Sequence, residues 1–172
     1  MLQALKSQLK ALAADPHDPF TTKVRRRVGA RNGVAYVGPL RNFVLIMPEL
    51  IAQIRAWLDV PGMPPQLKHV HGFLLTYLYE PADFLPEAGA GLFGYLDDAY
   101  LVGTVYVRTL SQIDHRHRRA LPNLDGFAEQ LPRWLDLARQ LLPVETKKID
   151  ELLDEIVAGR TTGFNKLMAK GH

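Results

Sequence analysis

The sequence predicts an all-α domain, a compact bundle of six or seven helices around a central helical hairpin. Three observations point there. Apolar residues recur at spacings of three and four in several separate segments. No stretch alternates long enough to build a sheet. The chain has 172 residues with 47% hydrophobic and 23% charged, ordinary values for one domain that buries a core.

The elements follow in order. Leu2, Leu5, Leu9 and Leu12 form one stripe of a short helix, and the run Asp15-Pro16-His17-Asp18-Pro19 stops it. From Phe20 to Pro39 no period is clear; Gly29, Gly33, Gly38 and Pro39 suggest turns, around a short helix at most. A helix covers about Leu40 to Leu58, with Phe43, Ile46, Met47, Leu50, Ile51, Ile54, Trp57 and Leu58 on its apolar face. Pro48 either kinks it or marks its true start. After the break Val60-Pro61-Gly62-Met63-Pro64-Pro65, a third helix is expected from Gln66 to Tyr79. A fourth, apolar nearly all round, runs from about Gly91 to Leu110. The segment 66–110 is the expected central hairpin, with helices 40–58 and 124–142 packed around it. Asn123 or Asp125 caps the next helix, which carries Leu131, Trp134, Leu135, Ala138 and Leu141 and ends at Pro143. Ile149, Leu152, Leu153 and Ile156 form a last stripe, and a short helix near Phe164–Met168 closes the chain.

Composition excludes some chemistry. There is no cysteine, hence no disulfide, thiolate metal site or thiol nucleophile. The N-terminus lacks a signal-peptide core. Ala88–Val107 is apolar enough to raise the membrane question, but Asp97 and Asp98 sit in its middle. A carboxylate at mid-bilayer costs about 2.5–3.5 kcal/mol, so a buried core helix is the better reading. The net charge of +3 is unevenly placed: residues 1–41 carry +6 and residues 42–172 carry −3. Glu80 to Asp98 holds five acids and no Lys or Arg.

Within residues 66–110, a helix ending in Tyr77 and Tyr79 is followed by Pro81, Asp83, Pro86 and Glu87, then by Gly94, Tyr95, Asp97 and Asp98. This order and spacing resembles the YkvA-like family, a domain of unknown function. Ala82 stands where the family usually has an aliphatic residue, and Glu87 where it often has aspartate. The resemblance covers about a quarter of the chain. It implies a helical fold, in a family with many small bacterial members, and leaves activity open; the location expected for this chain is cytoplasmic or peripheral to the inner membrane. Some members of the family carry added membrane segments.

Asp83, Glu87, Asp97 and Asp98 are the candidate chemical residues. Converging, they would suit Mg²⁺, Mn²⁺ or Ca²⁺, which prefer oxygen ligands, and no other cofactor is indicated. The competing and stronger reading is structural. Asp83 caps a turn, Glu87 sits near a helix start, and Asp97 and Asp98, about 100° apart on one helix, take separate partners. Arg41, Arg55, Lys68, Arg108 and tyrosine hydroxyls are candidate partners for them. His69 and His71 point nearly opposite ways on a helix, which disfavours joint ligation. His115 and His117 lie in a polar connection.

Lys23, Arg25, Arg26, Arg27 and Arg31 form a basic cluster able to meet phosphates or anionic lipid, without any nucleic-acid-binding signature. Neither a nucleophile elbow nor a P-loop is present. The domain is expected to be single, with a basic N-terminal region 1–41, the motif-bearing core 66–110 and a C-terminal helical arm 143–172, docked on the bundle or on another subunit. The functional expectation is a non-enzymatic interaction or scaffold protein with a protein partner or self-association. Two alternatives stand beside it: a divalent-metal enzyme or sensor using the acidic motif, and peripheral attachment to an anionic membrane or another polyanion through the basic region.

Overall fold

A computed structural model describes residues 2–61, 63–78, 89–113 and 127–160. Among them are seven α-helices: α1 (Leu2–Ala14), α2 (Phe20–Val28), α3 (Ala30–Trp57), α4 (Pro65–Tyr77), α5 (Leu96–Gln112), α6 (Phe127–Leu141) and α7 (Pro143–Val157). A short 3-10 helix, Gly91–Tyr95, runs directly into α5. No strand occurs among the described residues.

The centre is built from α5 and α3. Every residue of α5 from Leu96 to Tyr106 is buried, so the helix is enclosed on all sides. It packs on α3, α4, α6 and α7. In the hairpin 66–110, α5 is thus the buried half, and α4 flanks it against α7. On the other side α3 also carries α1 and α2. The leucine stripe of α1 turns inward: Leu9 is buried, and Leu2, Leu5 and Leu12 pack on the core.

The long α3 differs from the expected start near Leu40. It begins at Ala30 and continues through both Pro39 and Pro48. Each interior proline removes a backbone donor and costs a helix about 3 kcal/mol. Against that stand Leu40, Phe43, Val44, Met47, Leu50, Ile51, Ile54 and Trp57, all buried. Each large apolar side chain buried contributes roughly 1.5–3 kcal/mol, so packing outweighs the local penalty. The break between α2 and α3 is a single residue, Gly29, at φ +84°, a conformation costly for residues with a Cβ. Other prolines act as starters: Pro65 and Pro143 stand in the first turns of α4 and α7, where the missing N–H has no helical partner to lose.

The segment from Pro143 packs on α4, α5 and α6. It closes with Gly159 at φ +72°, the Arg160 amide bonding the Glu155 carbonyl at 2.8 Å and the Gly159 amide bonding that of Ile156 at 3.0 Å. That pattern satisfies the orphan carbonyls of a helix end. The expected caps Asn123 and Asp125 and the expected helix near Phe164–Met168 lie outside the described residues.

Candidate functional site

The 3-10 helix that leads into Asp97 and Asp98 is anchored by a residue far away in sequence. Asp18 accepts the Phe20 amide at 2.9 Å with one carboxylate oxygen and the Leu92 amide at 2.8 Å with the other. One side chain therefore caps both α2 and the 3-10 helix. Gly91 permits this approach: at φ +59°, a Cβ there would stand 2.2 Å from the Asp18 carboxylate. Further along, the Tyr95 hydroxyl accepts a bond from the Gln8 amide nitrogen at 2.6 Å, tying the motif to α1.

Asp97 and Asp98 occupy the first turn of α5 and are only 1% and 7% exposed. Carboxylates there are favoured by the helix dipole, and both are engaged in interactions within the fold. Asp83 and Glu87 lie outside the described residues, as do His115 and His117. Among the described residues no three His, Asp or Glu side chains gather to hold a metal. Two cations expected to answer the acidic motif bond elsewhere. Arg41 donates to the Ala13 carbonyl at the end of α1, and Arg108 pairs with Asp154 at 2.6 Å and Asp150 at 3.6 Å.

The basic residues fall into two groups. Lys23 and Arg27 lie over the Phe93 ring, 5.8 and 5.4 Å from its centroid. Arg27 also bonds Glu145 at 3.3 Å, joining α2 to α7. Arg25, Arg26 and Arg31 are exposed, with no ion pair among the described residues. Gly33 of α3 lets the two helices close up, since a Cβ there would lie 2.5 Å from Arg25 Cγ.

A polar network absent from the sequence reading links α5, α6 and α7. The fully buried Tyr100 donates its hydroxyl to Asp150 at 2.8 Å and accepts from Arg139 Nε at 2.7 Å. Burial, reinforced by Asp150, pushes the Tyr100 hydroxyl up to about 12. The sequence signal was faint: a tyrosine within an apolar run, and Asp150 and Asp154 four apart on the last stripe.

His69 is exposed and His71 is buried on the opposite side of α4. His71 Nε2 lies 2.8 Å from Thr109 Oγ1, and Thr109 donates its own proton to the Val105 carbonyl. Nε2 must therefore carry the hydrogen, and Nδ1 has no hydrogen-bond partner among the described residues. Desolvation lowers the imidazole to about 4. The pair has the spacing of a base and a hydroxyl nucleophile. The Thr109 proton is committed to the backbone, and both residues are fully buried, so the bond links α4 to α5.

By length and composition α3 could span a membrane, although 39% of the relevant stretch is buried in the fold. A core helix meets the same test. Comparison with known proteins returned no matching family model, curated protein or solved structure.

Proposed function

We propose that this chain is a non-catalytic interaction protein that attaches peripherally to an anionic membrane surface through the tip formed by α2 and the start of α3. The observation carrying this reading is the outward placement of Arg25, Arg26 and Arg31, without ion pairs among the described residues. Between Asp18 and Glu49 stand six Lys or Arg and no acid, so nothing on this stretch neutralises them. Val34, 71% exposed, adds an apolar contact one turn further along α3.

An apolar docking face has less support. The α1 leucines pack on the core, and the large exposed apolar residues among those described are the separate valines 34, 144 and 157. Nucleic acid is less favoured too, since Tyr36 near this tip spends its hydroxyl on Gln140 at 2.5 Å and is half-buried rather than free to stack. Membership of the YkvA-like family belongs to the same proposal. The inward-facing Asp97 and Asp98 suit a motif that anchors a helix better than one that opens a site.

Each arginine near an anionic bilayer contributes about 1 kcal/mol at physiological salt. Co-sedimentation with phosphatidylcholine vesicles, with and without phosphatidylglycerol, tests the proposal. Binding should require the anionic lipid and weaken with salt. The triple change Arg25→Gln, Arg26→Gln, Arg31→Gln should lower it about a hundredfold. At position 25 glutamine keeps the Cβ and Cγ that lie beside Gly33. Equal binding to neutral vesicles, or no loss in the triple variant, would overturn it.

A further inference from the structure

The turn from α2 into α3 at Gly29 and the junction of α6 with α7 at Leu142 stand side by side at one end of the bundle. Arg27, in the last turn of α2, donates to the Leu141 carbonyl at 3.4 Å, 114 residues away in sequence, and to Glu145 at 3.3 Å. The Tyr36 hydroxyl of α3 bonds Gln140 of α6 at 2.5 Å. These bonds hold the two corners as one surface. The two most exposed large apolar side chains among the described residues both stand there, Val34 at 71% and Val144 at 61%. The next, Val157, is 40% exposed and lies at the far end of α7, about 20 Å away along its axis. Both corner valines sit among cations. Val34 is one turn along α3 from Arg31, and Val144 shares its face of α7 with Lys148, which is exposed and makes no ion pair among the described residues. The acid beside Val144, Glu145, is spent on Arg27, and its side chain is 18% exposed.

We infer that the anionic bilayer is met by both corners at once: Val34 with Arg25, Arg26 and Arg31 on one side, Val144 with Lys148 on the other. The inference rests on the attachment proposed above and extends it to the start of α7, which fixes the orientation of the bundle on the surface. Charge chooses the occupant. A valine set among unpaired cations suits an anionic bilayer, where the apolar group enters the boundary between headgroups and acyl chains and the cations stay at the phosphates. A second copy of this chain would bring like charges together. Each corner alone offers one valine and a few cations, a weak contact. Held on one rigid body, the second contact forms within an already bound protein, so the pair binds far better than either corner.

The chain has no cysteine, so a single introduced thiol carries a probe at one chosen place. Val34→Cys, Val144→Cys and Val157→Cys, each in the full chain, are labelled with nitrobenzoxadiazole and mixed with vesicles of phosphatidylcholine and phosphatidylglycerol. All three positions are exposed, so the label leaves the core alone. Emission from positions 34 and 144 should rise and shift to the blue, and emission from 157 should stay as in buffer. Val144→Asp should weaken co-sedimentation with these vesicles about tenfold. It should melt with the native chain, since a carboxylate in the first turn of α7 suits the helix dipole. Silence at both 34 and 144 overturns the membrane reading itself. A response at 34 with none at 144, or unchanged binding of Val144→Asp, overturns the inference alone and leaves attachment through α2 and α3 standing. A response at 157 equal to that at 144 overturns the orientation. A rise at 144 on concentrating the protein without vesicles makes the corner a contact between copies and overturns the inference as well.

Discussion

Replacing Gly103 by alanine should destabilise the protein, although alanine is the better helix former. A Cβ at Gly103 would lie 2.6 Å from Phe43 Cζ and 2.8 Å from Phe43 Cε2, with Leu135 Cδ2 at 3.3 Å. Carbon atoms in good contact stand about 3.5–4.0 Å apart, so the new methyl overlaps the ring by about 1 Å. The ring has nowhere to go: Phe43 is fully buried and lies 5.9 Å from Trp134, centroid to centroid. Overpacking of this kind costs about 1–3 kcal/mol, and the helix-propensity gain from glycine to alanine returns about 1. The net expectation is a loss of up to about 2 kcal/mol. Gly72 in α4 supplies the control, because nothing lies within 4 Å of its Cβ position. Gly72→Ala should therefore gain about 1 kcal/mol. For a chain of this length 1 kcal/mol moves the melting temperature by about 2–4 °C, so the two variants should separate in opposite directions. A double-mutant cycle with Phe43→Leu isolates the cause, since removing the ring should relieve most of the Gly103→Ala penalty. If Gly103→Ala melts higher than the native chain, or the cycle shows no coupling, the close crossing of α3 and α5 at this point is refuted.

Three further expectations can be measured on the same protein. His71 sits near 4 when folded against an ordinary 6.5, so the unfolded chain binds its proton first as pH falls. Stability should drop between pH 6.5 and 4 by up to about 3 kcal/mol from this residue and be unaffected by it above pH 6.5. Urea titrations at pH 7.5 and 4.5 should show a smaller difference in His71→Gln, and an unchanged difference would refute the buried neutral imidazole. Asp18→Ala leaves the Phe20 and Leu92 amides without their acceptor and should cost about 2 kcal/mol, with Asp18→Asn intermediate. Amide exchange at Phe20 and Leu92 should rise together, and a rise at one alone would contradict the shared cap. Asp97→Asn with Asp98→Asn should lower the melting midpoint, while Mg²⁺, Mn²⁺ and Ca²⁺ leave native and variant midpoints unmoved. A metal that raises only the native midpoint would restore the metal-site alternative, because a ligand of the folded state must stabilise it.

The fold was legible where periodicity and burial agree. The stripes of α1, α6 and α7 and the enclosed α5 follow from apolar spacing alone. Legibility failed where tertiary packing overrides local chemistry. Pro39 read as part of a turn and Pro48 as either a kink or a helix start, yet both lie inside α3, because the buried face running from Leu40 to Trp57 repays two lost backbone bonds. Pro143 read as a stop for α6 and is equally the start of α7, one residue after a non-helical Leu142 at φ −125°. Long-range polar pairings were invisible for a simpler reason. Nothing local tells Asp18 to meet Leu92, or Tyr100 to meet Asp150 and Arg139, since those contacts exist only once the helices have crossed.

The basic segment shows how one charge run divides its labour. Arg27 bonds Glu145 and the Leu141 carbonyl, Arg41 bonds the Ala13 carbonyl, and Lys23 lies over Phe93. Each of these cations ties two helices together, and removing one should register as lost stability. Arg25, Arg26 and Arg31 point outward, and surface charges without such ties seldom alter stability by more than about 0.5 kcal/mol. Selection for folding alone would not demand three uncompensated positive charges beside one another, since they repel. Their placement at the tip of α2 and α3 makes the proposed membrane attachment separable from folding: the triple glutamine variant should melt with the native chain and part from it only in the presence of anionic vesicles.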